Sequence, residues 1–168
     1  MILYVNVCVR RESRTNRLAA ALLRQLGGAY EEVRLAEEPP APLSAAALDR
    51  RTALIEAGDF SDPMFRHARQ FQAADVIVIA APYWDLSFPA VLKTYLENVY
   101  VTGLVSVYGT DGTPRGLCRA KKALLRDDGG RSLHPRFRLC LRPRAGDAVL
   151  RHLGDRAHQG GAAGRRWV

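Results

Sequence analysis

The feature that most constrains the fold is an uninterrupted apolar run from Val76 to Ala81, with the sequence VIVIAA. No polar residue alternates with the apolar ones, so a strand formed here needs cover on both faces. Such strands lie at the centre of parallel sheets, which are connected by helices. Ile2 to Val9 is a second run of this type. Together they predict an α/β protein built around a buried parallel sheet.

Helix and strand patterns alternate through the remaining residues up to Leu124. The predicted elements are, in order, a helix capped by Ser13 or Thr15 and stopped at Gly27, a strand Tyr30 to Leu35, a helix Ser44 to Ala57, a short helix Phe65 to Ala74, a helix opened by Pro89, a long loop Gly103 to Arg119, and a fourth strand from Lys121. Right-handed crossovers then give a doubly wound sheet in the flavodoxin-like order 2-1-3-4-5. Ligands bind such sheets where the strand order reverses, beyond strands 1 and 3. That rule selects the loops Arg10 to Thr15 and Pro82 to Phe88.

The first of these loops, RRESRTN, has the composition of a phosphate site. It lacks the glycines of a dinucleotide fingerprint and the lysine of a nucleotide-triphosphate loop. It does place the hydroxyls of Ser13 and Thr15 and three arginines at the start of a helix, where free N–H groups and the helix dipole favour an anion. For this loop alone, simple capping of the helix by Ser13 or Thr15 is the better explanation.

The second loop, PYWDLSFP, carries Tyr83 and Trp84 directly after the central strand. A flat, mostly apolar ring system such as isoalloxazine could rest on them, with backbone groups and Asp85 or Ser87 meeting its polar edge. The alternative is that both aromatics pack into the core or a subunit interface. The phosphate-type loop at the neighbouring position favours the flavin interpretation.

Three ordered motifs carry a resemblance to a known family. VNVCVRRESRTNRLA, VIVIAAPYWDLSFPAVLKTYLENV and YGTDGTPRGLCRAKKAL resemble the FMN-dependent NAD(P)H quinone reductases and azoreductases of flavodoxin-like fold, over residues 1–124. The resemblance implies bound FMN, NAD(P)H as co-substrate, a quinone or azo acceptor, and a homodimer with the active site near the interface. It implies that Ser13, Arg14 and Thr15 hold the FMN phosphate, and that the flavin is lined by Pro82, Tyr83, Trp84, Asp85 and Leu86.

One departure from the family lies in the second loop. Better-known azoreductases have Met-Tyr-Asn-Phe where this chain has Tyr83, Trp84, Asp85 and Leu86. A carboxylate at Asp85 in place of an amide changes what the flavin edge can hydrogen-bond. We therefore expect this residue to affect the choice of electron acceptor.

Composition argues against several other classes of protein. The three cysteines, Cys8, Cys118 and Cys140, are widely separated and have no zinc or redox spacing, and the four histidines are scattered. No apolar window is long enough to span a bilayer, and the N-terminus has no basic leader, which predicts a cytoplasmic protein. The net charge of +8 is uneven, because 15 basic and 13 acidic residues precede Ala123 whereas 10 arginines and 4 acidic residues follow. We predict no metal, no membrane and no nucleic-acid partner.

The family pattern breaks after KKAL, in the stretch ALLRDDGGRSLHP. The family continues with the rest of strand 4 and a Thr-Thr-x-Gly-Gly flavin loop, whereas this chain turns to charge and glycine. One extra base in the coding DNA explains the break. With allowed codons for Leu124 to His134, deleting one base after the first codon yields LYVTTAGGPY, and the shifted frame continues as an amphipathic helix and a strand-like segment. A GC-rich gene in the wrong frame also yields an Arg, Gly, Ala and Pro mixture.

We therefore predict a flavodoxin-like FMN-binding domain at residues 1–124, incomplete, and an out-of-frame, disordered Arg/Gly-rich tail at 125–168. The end of strand 4 and strand 5 are expected to be lost or replaced. The predicted function is an FMN-dependent NAD(P)H oxidoreductase that passes two electrons to a quinone or azo acceptor, without a catalytic acid, base or nucleophile among its side chains. The alternatives are a flavodoxin-like electron carrier, an inactive truncated product and, less favoured, a protein whose basic tail binds nucleic acid. The choice of NADH or NADPH and the physiological acceptor stay open.

Overall fold

The computed structural model describes residues 1–85, 87–120 and, for the backbone alone, 122–126. Its elements in chain order are β1 Ile2–Asn6, α1 Arg14–Leu26, β2 Tyr30–Arg34, α2 Ala45–Glu56, a 3-10 helix Pro63–Phe65, α3 Arg66–Ala73, β3 Val76–Ala80, α4 Ala90–Val99, β4 Ser106–Tyr108, β5 Pro114–Gly116 and β6 Lys122–Arg126. Strands and helices alternate, as the sequence predicts for a doubly wound α/β fold. None of the helices in these residues is long and apolar enough to cross a membrane.

Four parallel strands form the main sheet in the order β2-β1-β3-β6. This order matches the first four positions of the predicted arrangement, with β6 as its fourth strand. The β6 backbone continues past Leu124 and pairs Leu125 with Ile79 and Arg126 with Ala80. The predicted loss of a fifth strand and the predicted tail at 125–168 concern mainly residues outside those that the structure describes.

The central strand β3 is covered on both faces, as its unbroken apolar sequence predicts. Ile77 and Ile79 belong to the larger core cluster, which α3, α4 and the 3-10 helix complete with Phe65, Phe71 and Tyr95. Val78 and Ala80 face the smaller cluster with Ala19, Leu22 and Leu23 of α1. Burying each of the larger apolar side chains contributes about 1.5–3 kcal/mol, so the two clusters hold the helices against the sheet.

Serine side chains start two of the helices as predicted. Ser13 Oγ accepts the Asn16 N–H at 3.0 Å, and Ser44 Oγ accepts the Ala47 N–H at 3.2 Å. Such N-cap bonds satisfy donors that the first turn leaves without partners. α1 ends at Gly27, whose φ of +66° lies in the left-handed region that glycine tolerates. Thr15, the alternative cap, lies inside α1 instead.

Two expectations for local structure are wrong. The predicted long loop Gly103 to Arg119 contains the antiparallel hairpin of β4 and β5, with the Asp111–Gly112 turn signal at its tip. Strands of three residues are too short for their alternation to show in the sequence. The predicted first strand reaches Val9, but β1 ends at Asn6, because the Asn6 side chain accepts the Cys8 N–H and turns the backbone.

Candidate functional site

Two loops leave the carboxyl edge of the sheet side by side. The register pairs Asn6 with Ala80, and the Val7 N–H donates to the Ala80 carbonyl at 2.9 Å. Loop 7–13 follows β1 and loop 81–89 follows β3. The chain then passes through α1 to β2, on the side of β1 away from β3. The two loops therefore flank the point where the strand order reverses, the usual ligand position in such sheets.

The start of α1 combines the three residues assigned to an anion. Ser13 is the N-cap, Arg14 is exposed, and Thr15 is completely buried in the first turn. The Thr15 Oγ1 atom makes no hydrogen bond to any of the described residues. An unpaired buried hydroxyl costs about 1–3 kcal/mol, so such groups in native proteins call for an explanation. A ligand oxygen at the helix N-terminus would provide the missing partner.

The second loop is a tight turn that carries exposed aromatic rings. Trp84 and Ser87 exchange two backbone hydrogen bonds of 2.8 Å each, and Asp85 between them has a φ of +46°. In the described part of the chain, Asp85 alone among non-glycine residues has a positive φ. That conformation costs roughly 1 kcal/mol or more, and such costs cluster at functional sites. Leu86, the next residue in the sequence, lies outside the described residues.

Two aromatic side chains of this loop, those of Tyr83 and Trp84, are not part of the core. Tyr83 is 39% exposed and Trp84 is 46% exposed, whereas Pro82 is buried. The Tyr83 ring meets the ring of Phe88 edge to face, with 5.7 Å between the centroids. The loop therefore presents a partly exposed aromatic surface next to the start of α1.

Comparison with known proteins places the fold in a family. The flavodoxin-like fold family matches residues 1–126. An FMN-dependent NADH:quinone oxidoreductase from Coprothermobacter proteolyticus is 33% identical over 144 residues, which cover 81% of this chain and 71% of that protein. The chain belongs to this flavodoxin-like quinone reductase family. 

Other similarities cover less of the relatives or are more distant. FMN-dependent NADH:quinone oxidoreductase 2 from Clostridium acetobutylicum is 49% identical over 61 residues, and this match spans 30% of its length. The azoreductase from Bacillus anthracis strain Sterne superimposes with a TM-score of 0.64 at 22% identity, covering 75% of this chain and 67% of that one. This last likeness is one of fold.

Two asparagine side chains that are not among the predicted site residues organise the first loop of this flavodoxin-like chain. Asn16 Nδ2 donates to the carbonyls of Arg10 and Arg11, at 3.2 and 2.7 Å, and so ties the loop to the first turn of α1. Asn6 is 2% exposed and ends β1. The one signal for Asn6 in the sequence is an amide side chain within an otherwise apolar run.

Asn6 begins a continuous series of polar contacts, here called the polar chain. Its Oδ1 accepts the Cys8 N–H at 3.0 Å and its Nδ2 donates to Glu32 Oε1 at 2.8 Å. Further contacts join Glu32 to Arg34 at 2.9 Å, and Glu37 to both Arg34 and Arg11 at 3.5 Å. The polar chain therefore connects two points of loop 7–13, Cys8 and Arg11, through side chains of β2.

The polar chain borders a cavity of about 560 Å³ between α1 and the strands β1 and β2. The rings of Tyr4 and Tyr30 meet edge to face there, with centroids 5.9 Å apart, and the Tyr4 hydroxyl donates to Asn16 Oδ1 at 3.4 Å. Burial, with smaller effects of nearby negative charges, raises the pKa of the Tyr4 phenol. The hydroxyl therefore stays a neutral donor beside Asn16 throughout the physiological range.

The thiols and the possible metal ligands among the described residues do not come together in a metal site. Cys8 and Cys118 are both buried, and Cys140 lies outside that part of the chain. Within it, no group of three His, Cys, Asp or Glu side chains is arranged to hold a metal ion. His67 contacts the Tyr95 ring and Gln70, away from both loops.

Proposed function

We propose that this chain is an FMN-dependent NAD(P)H oxidoreductase that reduces a quinone or azo compound. The observation that carries the proposal is the buried Thr15 hydroxyl, which lacks a partner among the described residues at the start of α1, beside the exposed aromatic loop after β3. Relatives named FMN-dependent NADH:quinone oxidoreductases support the same activity. FMN, when bound, supplies the hydride and electron chemistry.

The residues of the two loops fit the two ends of FMN. In the proposed arrangement Ser13 and Thr15 donate their hydroxyl protons to phosphate oxygens, and the Arg14 guanidinium neutralises phosphate charge. Pro82 and the exposed rings of Tyr83 and Trp84 line the apolar flavin, and Leu86 completes that wall in the proposal. These residues bind, orient and partly desolvate the flavin, so the reaction needs no side chain that acts as acid, base or nucleophile.

Asp85 has a separate role in the proposed site. Its carboxylate follows Trp84 and is exposed, so it is free of core packing constraints that would hold it away from a bound ring. As an acceptor without a proton to donate, it favours flavin N–H groups over flavin carbonyls. We therefore propose that Asp85 sets which acceptors are reduced best. An Asp85→Asn variant tests this by the ratio of azo to quinone reduction rates.

We also propose that residues from about Leu125 onward are translated out of frame. The match to the flavodoxin-like family model ends at residue 126, two residues beyond the predicted break, which supports the proposal. The match to the Coprothermobacter proteolyticus relative covers 81% of the chain and so runs somewhat further. The 168-residue chain should then retain FMN weakly or not at all, whereas a chain with the restored frame should retain it. Reading the coding DNA across Ala123 to Arg126 decides directly between an extra base and a genuine sequence.

Flavin binding and turnover test the proposed function itself. The frame-restored chain should quench FMN fluorescence on titration and oxidise NADH or NADPH with a benzoquinone or an azo dye. FMN binding without nicotinamide oxidation would instead identify an electron carrier. A 168-residue chain that purifies with stoichiometric FMN would contradict the frameshift proposal and leave the reductase proposal standing.

The proposed enzyme is a homodimer whose active site lies near the subunit interface. The partly exposed rings of Tyr83 and Trp84 support this, because aromatic residues are enriched at protein interfaces relative to the rest of the surface. Light scattering after size-exclusion chromatography of the frame-restored chain should give twice the mass of one chain. A monomer that still turns over NAD(P)H would contradict this part of the proposal.

A further inference from the structure

The buried amide of Asn6 is unusual for its place in the fold. It ends β1, in which every residue is buried, and a parallel strand covered on both faces is normally apolar throughout. Both ends of the amide are used, since Oδ1 accepts the Cys8 N–H and Nδ2 donates to Glu32. A local departure of this kind, fully satisfied by hydrogen bonds, is expected where function requires it.

The contacts of Asn6 restrain one loop from two directions. The bond to Cys8 fixes the first turn of loop 7–13, and the bond to Glu32 ties that turn to β2. Glu32 is held in turn by Arg34, and through Glu37 the polar chain reaches Arg11 on the far part of the same loop. The loop that precedes Ser13 and Thr15 is therefore linked to a strand that carries none of the assigned ligand residues. The buried Asn6 amide is the firmer of the two links, because the Arg11–Glu37 pair is largely exposed.

We propose that Asn6, anchored by Glu32, is a positioning residue that holds loop 7–13 and the start of α1 in the geometry that recognises the flavin phosphate. The proposal rests on the proposed function for the identity of the ligand. Its specific consequence is selectivity for FMN over riboflavin, because only the phosphate end of the flavin depends on this loop. The flavin ring depends on loop 81–89 instead.

The test compares two variants of the full 168-residue chain that have the same net charge as the original. Asn6→Leu is nearly isosteric and apolar, so it suits a buried strand but breaks both hydrogen bonds. The double variant Asn6→Asp/Glu32→Gln keeps both hydrogen bonds. The carboxylate introduced at position 6 accepts the Cys8 N–H, and it also accepts an N–H of the amide introduced at position 32. Asn98→Leu, in the last turn of α4, is the control for an asparagine replaced away from both loops.

FMN and riboflavin are each titrated into these proteins by fluorescence, and circular dichroism verifies folding. For Asn6→Leu, the ratio of FMN to riboflavin affinity should fall roughly tenfold, since hydrogen bonds of this class are worth about that factor. The double variant and the Asn98 control should stay within about twofold of the original. An unchanged ratio, or equal loss of both flavins, would overturn the positioning role while leaving the cofactor assignment intact.

Hydrogen exchange of the peptide amides in residues 7–13 provides a readout without flavin. Asn6→Leu should speed exchange there roughly tenfold, and the double variant should restore protection. If the original chain binds neither flavin, as the out-of-frame proposal allows, the cofactor assignment is tested on the frame-restored chain and this readout alone decides the positioning role. Unchanged exchange in Asn6→Leu would then overturn it, whereas faster exchange reversed by the double variant would support it.

Discussion

Replacing Thr15 by Val should stabilise the protein and weaken its binding of FMN. The Thr15 side chain is fully buried, and its Oγ1 atom has no hydrogen-bond partner within the described part of the chain. No hydrogen bond therefore offsets the cost of removing this hydroxyl from water. Val has nearly the same shape without the hydroxyl. The free energy of unfolding without flavin should therefore rise by about 1 kcal/mol, the low end of the cost of an unpaired buried polar group.

The same substitution removes a donor to the flavin phosphate. A hydrogen bond to a charged group contributes about 1.5–3 kcal/mol, which corresponds to roughly a 10- to 150-fold loss of FMN affinity. Riboflavin, which has no phosphate, should bind equally well before and after the change. The opposite signs of the two effects separate a ligand-binding hydroxyl from a structural one.

Urea unfolding without flavin and fluorescence titration with FMN and riboflavin measure both quantities on the same preparations of the frame-restored chain. Thr94→Val on α4 is the matched control, because the Thr94 hydroxyl already donates to the Ala90 carbonyl at 3.3 Å. That control should change FMN affinity by less than about twofold. A Thr15→Val protein that is less stable and binds FMN normally would refute the reasoning.

Three further predictions concern the described residues. Asp85→Gly should raise the free energy of unfolding, measured with urea, by about 0.5–1 kcal/mol, because glycine adopts a φ of +46° without strain. A loss of stability would mean that the Asp85 carboxylate stabilises the protein by more than the backbone strain costs. Tyr95→Phe should raise the free energy of unfolding by about 1 kcal/mol, since the buried Tyr95 hydroxyl has no hydrogen-bond partner among the described residues. A loss of stability would indicate that the hydroxyl has a partner elsewhere in the chain. Burial lowers the pKa of His67 below its ordinary 6.5. The unfolded chain therefore binds a proton at His67 more readily than the folded chain does, so the free energy of unfolding should fall as the pH drops below about 6.5. His67→Phe should reduce this dependence on pH in urea unfolding measured from pH 5 to 7.5.

Elements dominated by local patterns were predictable from the sequence. The unbroken apolar run of β3 indicated a strand covered on both faces, and Ser13 and Ser44 indicated where helices begin. The hairpin of β4 and β5 was missed, because three-residue strands have no visible alternation and depend on their pairing with each other. The end of β1 was missed for a related reason, since the contact that ends it comes from an asparagine within the strand itself.

The two loops of the site were predictable in position but not in shape. Their place follows from topology, because the rule about strand reversal needs only the order of the strands. The turn at Asp85 was not predicted, since it has none of the Asn-Gly or Asp-Gly pairs that usually mark a two-residue turn with positive φ. The polar chain joins residues of β1, β2 and two loops, and such contacts depend on packing that no single stretch of sequence specifies.

The pairing of β1 with β3 also has a consequence for how the protein is made. Ile2 pairs with Val76, so more than seventy residues must leave the ribosome before the two site loops can meet. Closing so long a segment costs entropy and slows folding relative to local contacts. Loops 7–13 and 81–89 are therefore brought together late, when β1 pairs with β3. A growing chain acquires its binding site in one step, so the onset of flavin capture during translation would mark the moment when the central sheet closes.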